Sequence, residues 1–216
     1  DDLKNYIGIS LRVVSVKKYN EKRDALSHDW TRFLEQTNSF PIFIPNTLEN
    51  IEEFLTEMKI NGIILSGGDN IGDFPERDKT EKNIINFAIK NKIPILGICR
   101  GMQILNQFFD GSVIITNDHK HVGKPHNVDL INTKAVELFD NQSILVNSFH
   151  NNIIKKENLG QNLIPFALSK NDETIEGFYH ANLPIIGVMW HPERDDNITQ
   201  ESKLIEVSQK KLFWNK

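Results

Sequence analysis

The chain has 216 residues, 39% of them hydrophobic and 25% charged, with a formal net charge of -4 at pH 7. That length carries one well-buried α/β core and is short for two, so a single domain over residues 1–216 is expected. The charge balance gives no reason to expect nucleic acid, one cysteine excludes an intrachain disulfide framework, and no apolar run approaches the roughly 20 residues of a membrane helix.

In chain order, short apolar runs alternate with segments of helical period, the pattern of βα units around a mostly parallel sheet. Strands are predicted at "YIGISLRVV" (6–14), "FPIFIP" (40–45), "GIILSG" (62–67) and "IPILGIC" (93–99). Helices are predicted over Asp24 to Gln36, Ile51 to Met58 and Asp78 to Asn91, the last with Ile84, Ile85, Ala88 and Ile89 on one face. The second half is β-rich: "HNVDLI", "SILVNSF", "LIPFALS", "TIEGFYH" and "PIIGVMW" are predicted strands, followed by a closing helix from Glu201 to Phe213. The N-terminal "DDLKNYIGIS" lacks a basic region followed by an apolar one, so a cytoplasmic protein is expected.

A lone cysteine is more often a buried small hydrophobe than a nucleophile. In "GICRG", however, Gly97 and Gly101 flank Cys99 with the spacing of a nucleophile elbow, where a strand turns sharply into a helix and leaves the middle side chain exposed. A thiol at a helix N-terminus sits near the positive end of the peptide dipoles, which favours thiolate. A base and an orienting group are available in "VMWHPE", where His191 closes a strand and Glu193 follows two residues on. In an extended segment both side chains would project to one side. The glycine turn in "LSGGD" is suited to backbone donation toward an oxyanion, and Gln103 lies one helical turn after Cys99 on the same face. The "HKHVGKPH" segment gathers His119, His121 and His126, but no Cys or carboxylate set accompanies them at familiar ligand spacing, so no metal is expected. "PERDKTE" is a helix start in which Arg77 and Asp78 are expected to be structural.

"GICRGMQILN", "VNSFH" and "GVMWHPE", in this order and at these separations, resemble the class I glutamine amidotransferase-like superfamily, and within it the γ-glutamyl hydrolases. The resemblance covers nearly the whole chain. It implies a flavodoxin-like α/β fold and a Cys99, His191, Glu193 triad that hydrolyses a γ-glutamyl amide through a thioester, without cofactor. It further implies an oxyanion hole from the N–H groups of Gly68 and Arg100, and a γ-glutamyl site formed by Gln103, Asn147, Ser148, Phe149 and His150. Two features depart from the family pattern: "DNIGDFP" (69–75) is a shortened segment, and Asn151 stands where a second His is usual. The compact length resembles a shorter bacterial branch that acts on γ-glutamyl-CDP-amidate in capsule phosphoramidate synthesis, with Lys120 and Lys124 placed to meet an anionic leaving group. Two other classes stay open: a glutaminase subunit feeding ammonia to a separate synthetase, and a catalytically silent binding module. The sequence leaves the oligomeric state open.

Overall fold

The structure, a computed structural model, describes residues 4–116 and 122–215. Continuous apolar runs, rather than alternating ones, mark strands covered on both faces. Ile7, Ile9, Ile63, Ile64, Leu65, Ile95, Leu96 and Ile98 are all buried, in β1 (Asn5–Ser10), β5 (Gly62–Leu65) and β6 (Ile95–Ile98). With β4 (Ser39–Ile44) and β13 (Ile185–Val188) these form the parallel half of a nine-stranded sheet. The other half is antiparallel: β12 (Ile175–His180), β11 (Leu163–Ser169), β8 (His126–Leu130) and β9 (Ser143–Val146). The full order is β4-β1-β5-β6-β13-β12-β11-β8-β9. Helices α1 (His28–Gln36), α2 (Ile51–Glu57), α3 (Pro75–Asn91), α4 (Arg100–Phe108), α5 (Thr133–Phe139) and α6 (Ile198–Gln209) accompany it. Two short strands, β7 (Ile114–Ile115) and β10 (Asn152–Ile153), pair separately. Among the described residues no helix is long and apolar enough to cross a membrane.

Several expectations are corrected. The predicted strand over 6–14 breaks at Leu11, and its second part, β2 (Arg12–Val16), forms a hairpin with β3 (Glu21–Ala25). Asn20 takes the left-handed conformation, φ 47°, at the turn. The helix predicted from Asp24 therefore begins at His28, after Ser27 has capped it by accepting the Asp29 N–H. Helix α5 is unforeseen; Asn132 opens it by accepting the N–H groups of Lys134 and Ala135. The predicted strand at "SILVNSF" stops at Val146, because the Asn147 side chain turns to the His191 backbone.

Strands β5, β6 and β13 lie side by side and parallel. Gly67 and Gly68, Cys99, and His191 therefore emerge together at their carboxyl ends, where open α/β sheets place their sites.

Candidate active site

Cys99 leaves β6 with its N–H donated to Val188 O at 2.8 Å, then adopts φ 53° and ψ -105° before α4 begins. Positive φ is strained for a residue with a Cβ, and the neighbours that permit it must be small. A Cβ on Gly101 would lie 2.1 Å from Leu65 O, and one on Gly97 2.6 Å from Gly101 O, so a side chain at either position would force the elbow open. Burial pushes the thiol pKa up. The hydrogen bond and charge of His191, the charge of His150 and the Arg100 N–H outweigh it and hold the thiol below its ordinary value.

His191 is buried and its Nδ1 lies 2.6 Å from Glu193 Oε1. Burial lowers its pKa, but Cys99 and Glu193 on either side raise it to about 9. The pair is therefore poised as thiolate and imidazolium. Glu193 does not reach His191 along an extended segment: Pro192–Arg194 is a single 3₁₀ turn, which curls the carboxylate back onto the ring. Asn147 fixes the other side of His191, accepting its N–H and donating to its C=O, both at 2.8 Å.

Cys99 and His191 open onto a cavity of about 240 Å³ whose wall includes Gly68, Arg100, Gln103, Phe149, His150 and Asn152. That is below the roughly 300–1,000 Å³ of drug-sized pockets and suits a moiety of amino-acid size. Of the four residues expected to hold substrate after Val146, Phe149 and His150 line this cavity, whereas Asn147 and Ser148 do not. Ser148 is buried and its C=O accepts the Gly123 N–H. Asn151 also lines the wall. Gln103 Oε1 accepts from Asn152 Nδ2 at 3.3 Å. Lys124 is exposed and outside the wall. Lys120, His119 and His121 lie outside the described residues.

Three features escaped the sequence. Asn152 joins Gln103, and Arg194 lines the cavity with its guanidinium 4.8 Å from the Phe149 ring. Behind the wall, Glu176 sits between two imidazoles, 3.4 Å from His150 Nε2 and 3.5 Å from His126 Nε2. Burial pushes this carboxyl up, yet the two histidines hold it down at about 2. In return it raises the His150 pKa against the opposing effect of burial. A carboxylate inside the otherwise apolar "TIEGFYH" was the signal available in the sequence. His126 is thus tied to Glu176, and among the described residues no group of three or more His, Cys, Asp or Glu could hold a metal ion.

The family model described as Peptidase C26 matches residues 6–193. A γ-glutamyl-CDP-amidate hydrolase of Campylobacter jejuni is 35% identical over 200 residues, covering 89% of this chain and 92% of that protein. A glutamine-hydrolyzing GMP synthase subunit of Methanocaldococcus jannaschii is 33% identical over 69% of this chain and 73% of its own. Among solved structures, the acivicin-bound glutaminase domain of Trypanosoma brucei CTPS superposes with TM-score 0.72 at 13% identity, covering 96% of this chain and 94% of that one. A GMP synthase subunit from Thermoplasma acidophilum gives 0.67 at 22%, covering 99% and 100%. These structural likenesses carry the fold, that of the class I glutamine amidotransferases.

Proposed function

The chain belongs to the Peptidase C26 family, and from that membership and the site's geometry we propose that it hydrolyses γ-glutamyl amides through a thioester on Cys99. The observation that carries this reading is a buried cysteine of lowered pKa, paired with an imidazole of raised pKa that a carboxylate orients at 2.6 Å. The thiolate attacks the γ-carbonyl, and the N–H groups of Gly68 and Arg100 receive the oxyanion. The His191 imidazolium protonates the leaving nitrogen as its bond to carbon breaks. Neutral His191 then takes a proton from water, which attacks the thioester and releases glutamate and the thiolate. Gln103, Asn152 and His150 are the polar groups placed to hold the glutamyl α-amino and α-carboxylate groups.

The finer reading is γ-glutamyl-CDP-amidate as substrate, supported by the extent of similarity to the Campylobacter jejuni protein. The cations beside the site are Arg12 and Arg194, rather than Lys124. A glutaminase subunit serving a separate synthetase is the second reading, favoured by the likeness to the Methanocaldococcus jannaschii GMP synthase protein. Turnover of a panel of γ-glutamyl amides by the chain alone, read as free glutamate, separates the two. A glutaminase subunit should be slow on every member until its synthetase is added. Cys99→Ala should lose activity by orders of magnitude while remaining folded. Near-normal hydrolysis by that variant would sink the thioester route. Covalent labelling of Cys99 by a γ-glutamyl electrophile counts against a silent binding module.

A further inference from the structure

A buried ion network lies directly beneath the two N–H groups assigned to the oxyanion. Arg77 is completely buried and commits its guanidinium mainly to backbone: Nη2 donates to Ser66 O at 2.8 Å and Gly67 O at 3.1 Å, and Nη1 donates to Gly68 O. Three successive carbonyls after β5 thus face one cation. Because the peptide unit is planar and trans, a C=O and the next residue's N–H point in opposite directions. Fixing Gly67 O toward Arg77 therefore turns the Gly68 N–H away from it, and Gly68 lines the cavity with Cys99.

The same network reaches the second donor. Arg77 Nε donates to Glu81 Oε1 at 3.2 Å, one helical turn along α3, and the other oxygen of Glu81 accepts from Arg100 Nη1. Arg100 Nη2 is held by Asp78. The Arg100 N–H, at the start of α4, is the one that reaches the Cys99 sulfur. One buried carboxylate therefore connects the arginine that orients the Gly68 peptide with the residue that supplies the other N–H. Arg77, Glu81 and Arg100 are all at most 2% exposed, so the arrangement is rigid and shielded from competing water.

We propose that Arg77 and Glu81 are positioning residues of the oxyanion hole: together they fix the relative placement of the Gly68 and Arg100 N–H groups. This rests on the proposed acyl-transfer chemistry and adds residues that touch neither substrate nor thiol. Preorganised donors need no rearrangement when charge develops, and losing one oxyanion donor typically costs about 10²–10³-fold in rate.

The test compares two reactions of Cys99. With p-nitrophenyl acetate the thiolate adds to the carbonyl, an oxyanion forms, and p-nitrophenolate leaves as the S–C bond is retained. With iodoacetamide the thiolate displaces iodide from carbon directly and no oxyanion forms. Both rates are measured for the full chain and for Arg77→Lys and Glu81→Gln. Arg77→Lys keeps the charge but loses the fork that spans three carbonyls. Positioning predicts that the ratio of acylation to alkylation falls by about tenfold or more in Arg77→Lys, with alkylation held near the wild-type rate. Glu81→Gln, which keeps the side chain's shape, should lower the ratio in the same direction and carries the comparison if Arg77→Lys does not fold. A ratio that stays within about threefold of wild type in both variants, or a parallel fall of both reactions, would overturn the proposal. Neither probe contains a γ-glutamyl group. A wild-type chain that accepts the ester but cleaves no γ-glutamyl amide would refute the proposed function and leave the Arg77 comparison standing.

Discussion

Cys99 and His191 set the pH range over which the site can work. The thiolate persists above a lowered Cys99 pKa, and the imidazolium persists up to about 9. Acylation needs both, so kcat/KM for a γ-glutamyl amide should be level through neutrality and fall along an alkaline limb near pH 9. Glu193→Gln removes the anion that holds the imidazolium, so that limb should move to lower pH, and the loss of rate should be milder than for His191→Ala. An unshifted limb in Glu193→Gln would show that the carboxylate does not tune the ring. A second carboxyl near the site behaves in the opposite sense. Burial raises Glu201 to about 7, against the hydrogen bonds from Gln200 and Trp190. A carboxyl whose folded pKa exceeds its unfolded value favours folding most below the unfolded pKa, and that contribution is lost as pH rises to the folded one. Between pH 4.5 and about 7 the loss amounts to about 3 kcal/mol. Glu201→Gln stays neutral throughout. It should therefore raise the melting temperature at pH 8 and change it little at pH 4.5; equal shifts at both would point to packing instead of charge.

At the scale of elements, the elbow depends on how closely α4 can approach β5. Gly101 stands in the first turn of α4, and the 2.1 Å between its would-be Cβ and Leu65 O leaves no flexible side chain to yield. Gly101→Ala should cost about 2–3 kcal/mol in denaturant unfolding, with a larger proportional loss of activity because Cys99 moves with the helix. A variant as stable as wild type would mean that the strand and helix separate easily. The same closeness explains why this part of the site was legible: GxCxG is a local pattern whose glycines and cysteine answer to one turn. The central strands were legible too, since β5 and β6 are buried at every position. The β2–β3 hairpin was not, because Glu21 to Ala25 reads "EKRDA", with four exposed residues and no apolar face to announce a strand. Helix α5 is seven residues long and buries only Ala135, too short a period to register. Asn152 and Glu176 belong to the site through pairings 49 residues from Gln103 and across antiparallel strands, which no local spacing records.

Over the whole molecule, the two sides of the cavity differ in how firmly they are held. On one side Gln103 and His150 are each 4% exposed and interlocked, Gln103 with Asn152 and His150 with Glu176 and the Asn152 carbonyl at 2.9 Å. Polar groups fixed and buried in this way discriminate strongly, because a ligand lacking the matching group leaves them unpaired. On the other side the rim is exposed: Phe149 is 44% accessible, and the Arg194 and Arg12 side chains are 35% and 48% accessible. Arg12 is shared with Asp69 and Arg194 lies 3.7 Å from Glu193, so neither is a free cation, and each can contribute only modestly to an anionic ligand. The glutamyl half should thus be read strictly and the leaving group loosely. Acetylating the α-amino group should lower kcat/KM by about 10⁴-fold, whereas enlarging the amine should change it little. Arg194→Ala should raise KM by about fivefold for an amide whose leaving group carries phosphate, with no change for a small neutral amine. The measurement is a paired kcat/KM series on small, large neutral and large anionic γ-glutamyl amides, each with and without the acetyl group. Rapid cleavage of the acetylated compounds would place the discriminating contacts on the exposed rim, and rejection of every bulky amine would mean that the rim closes over the leaving group.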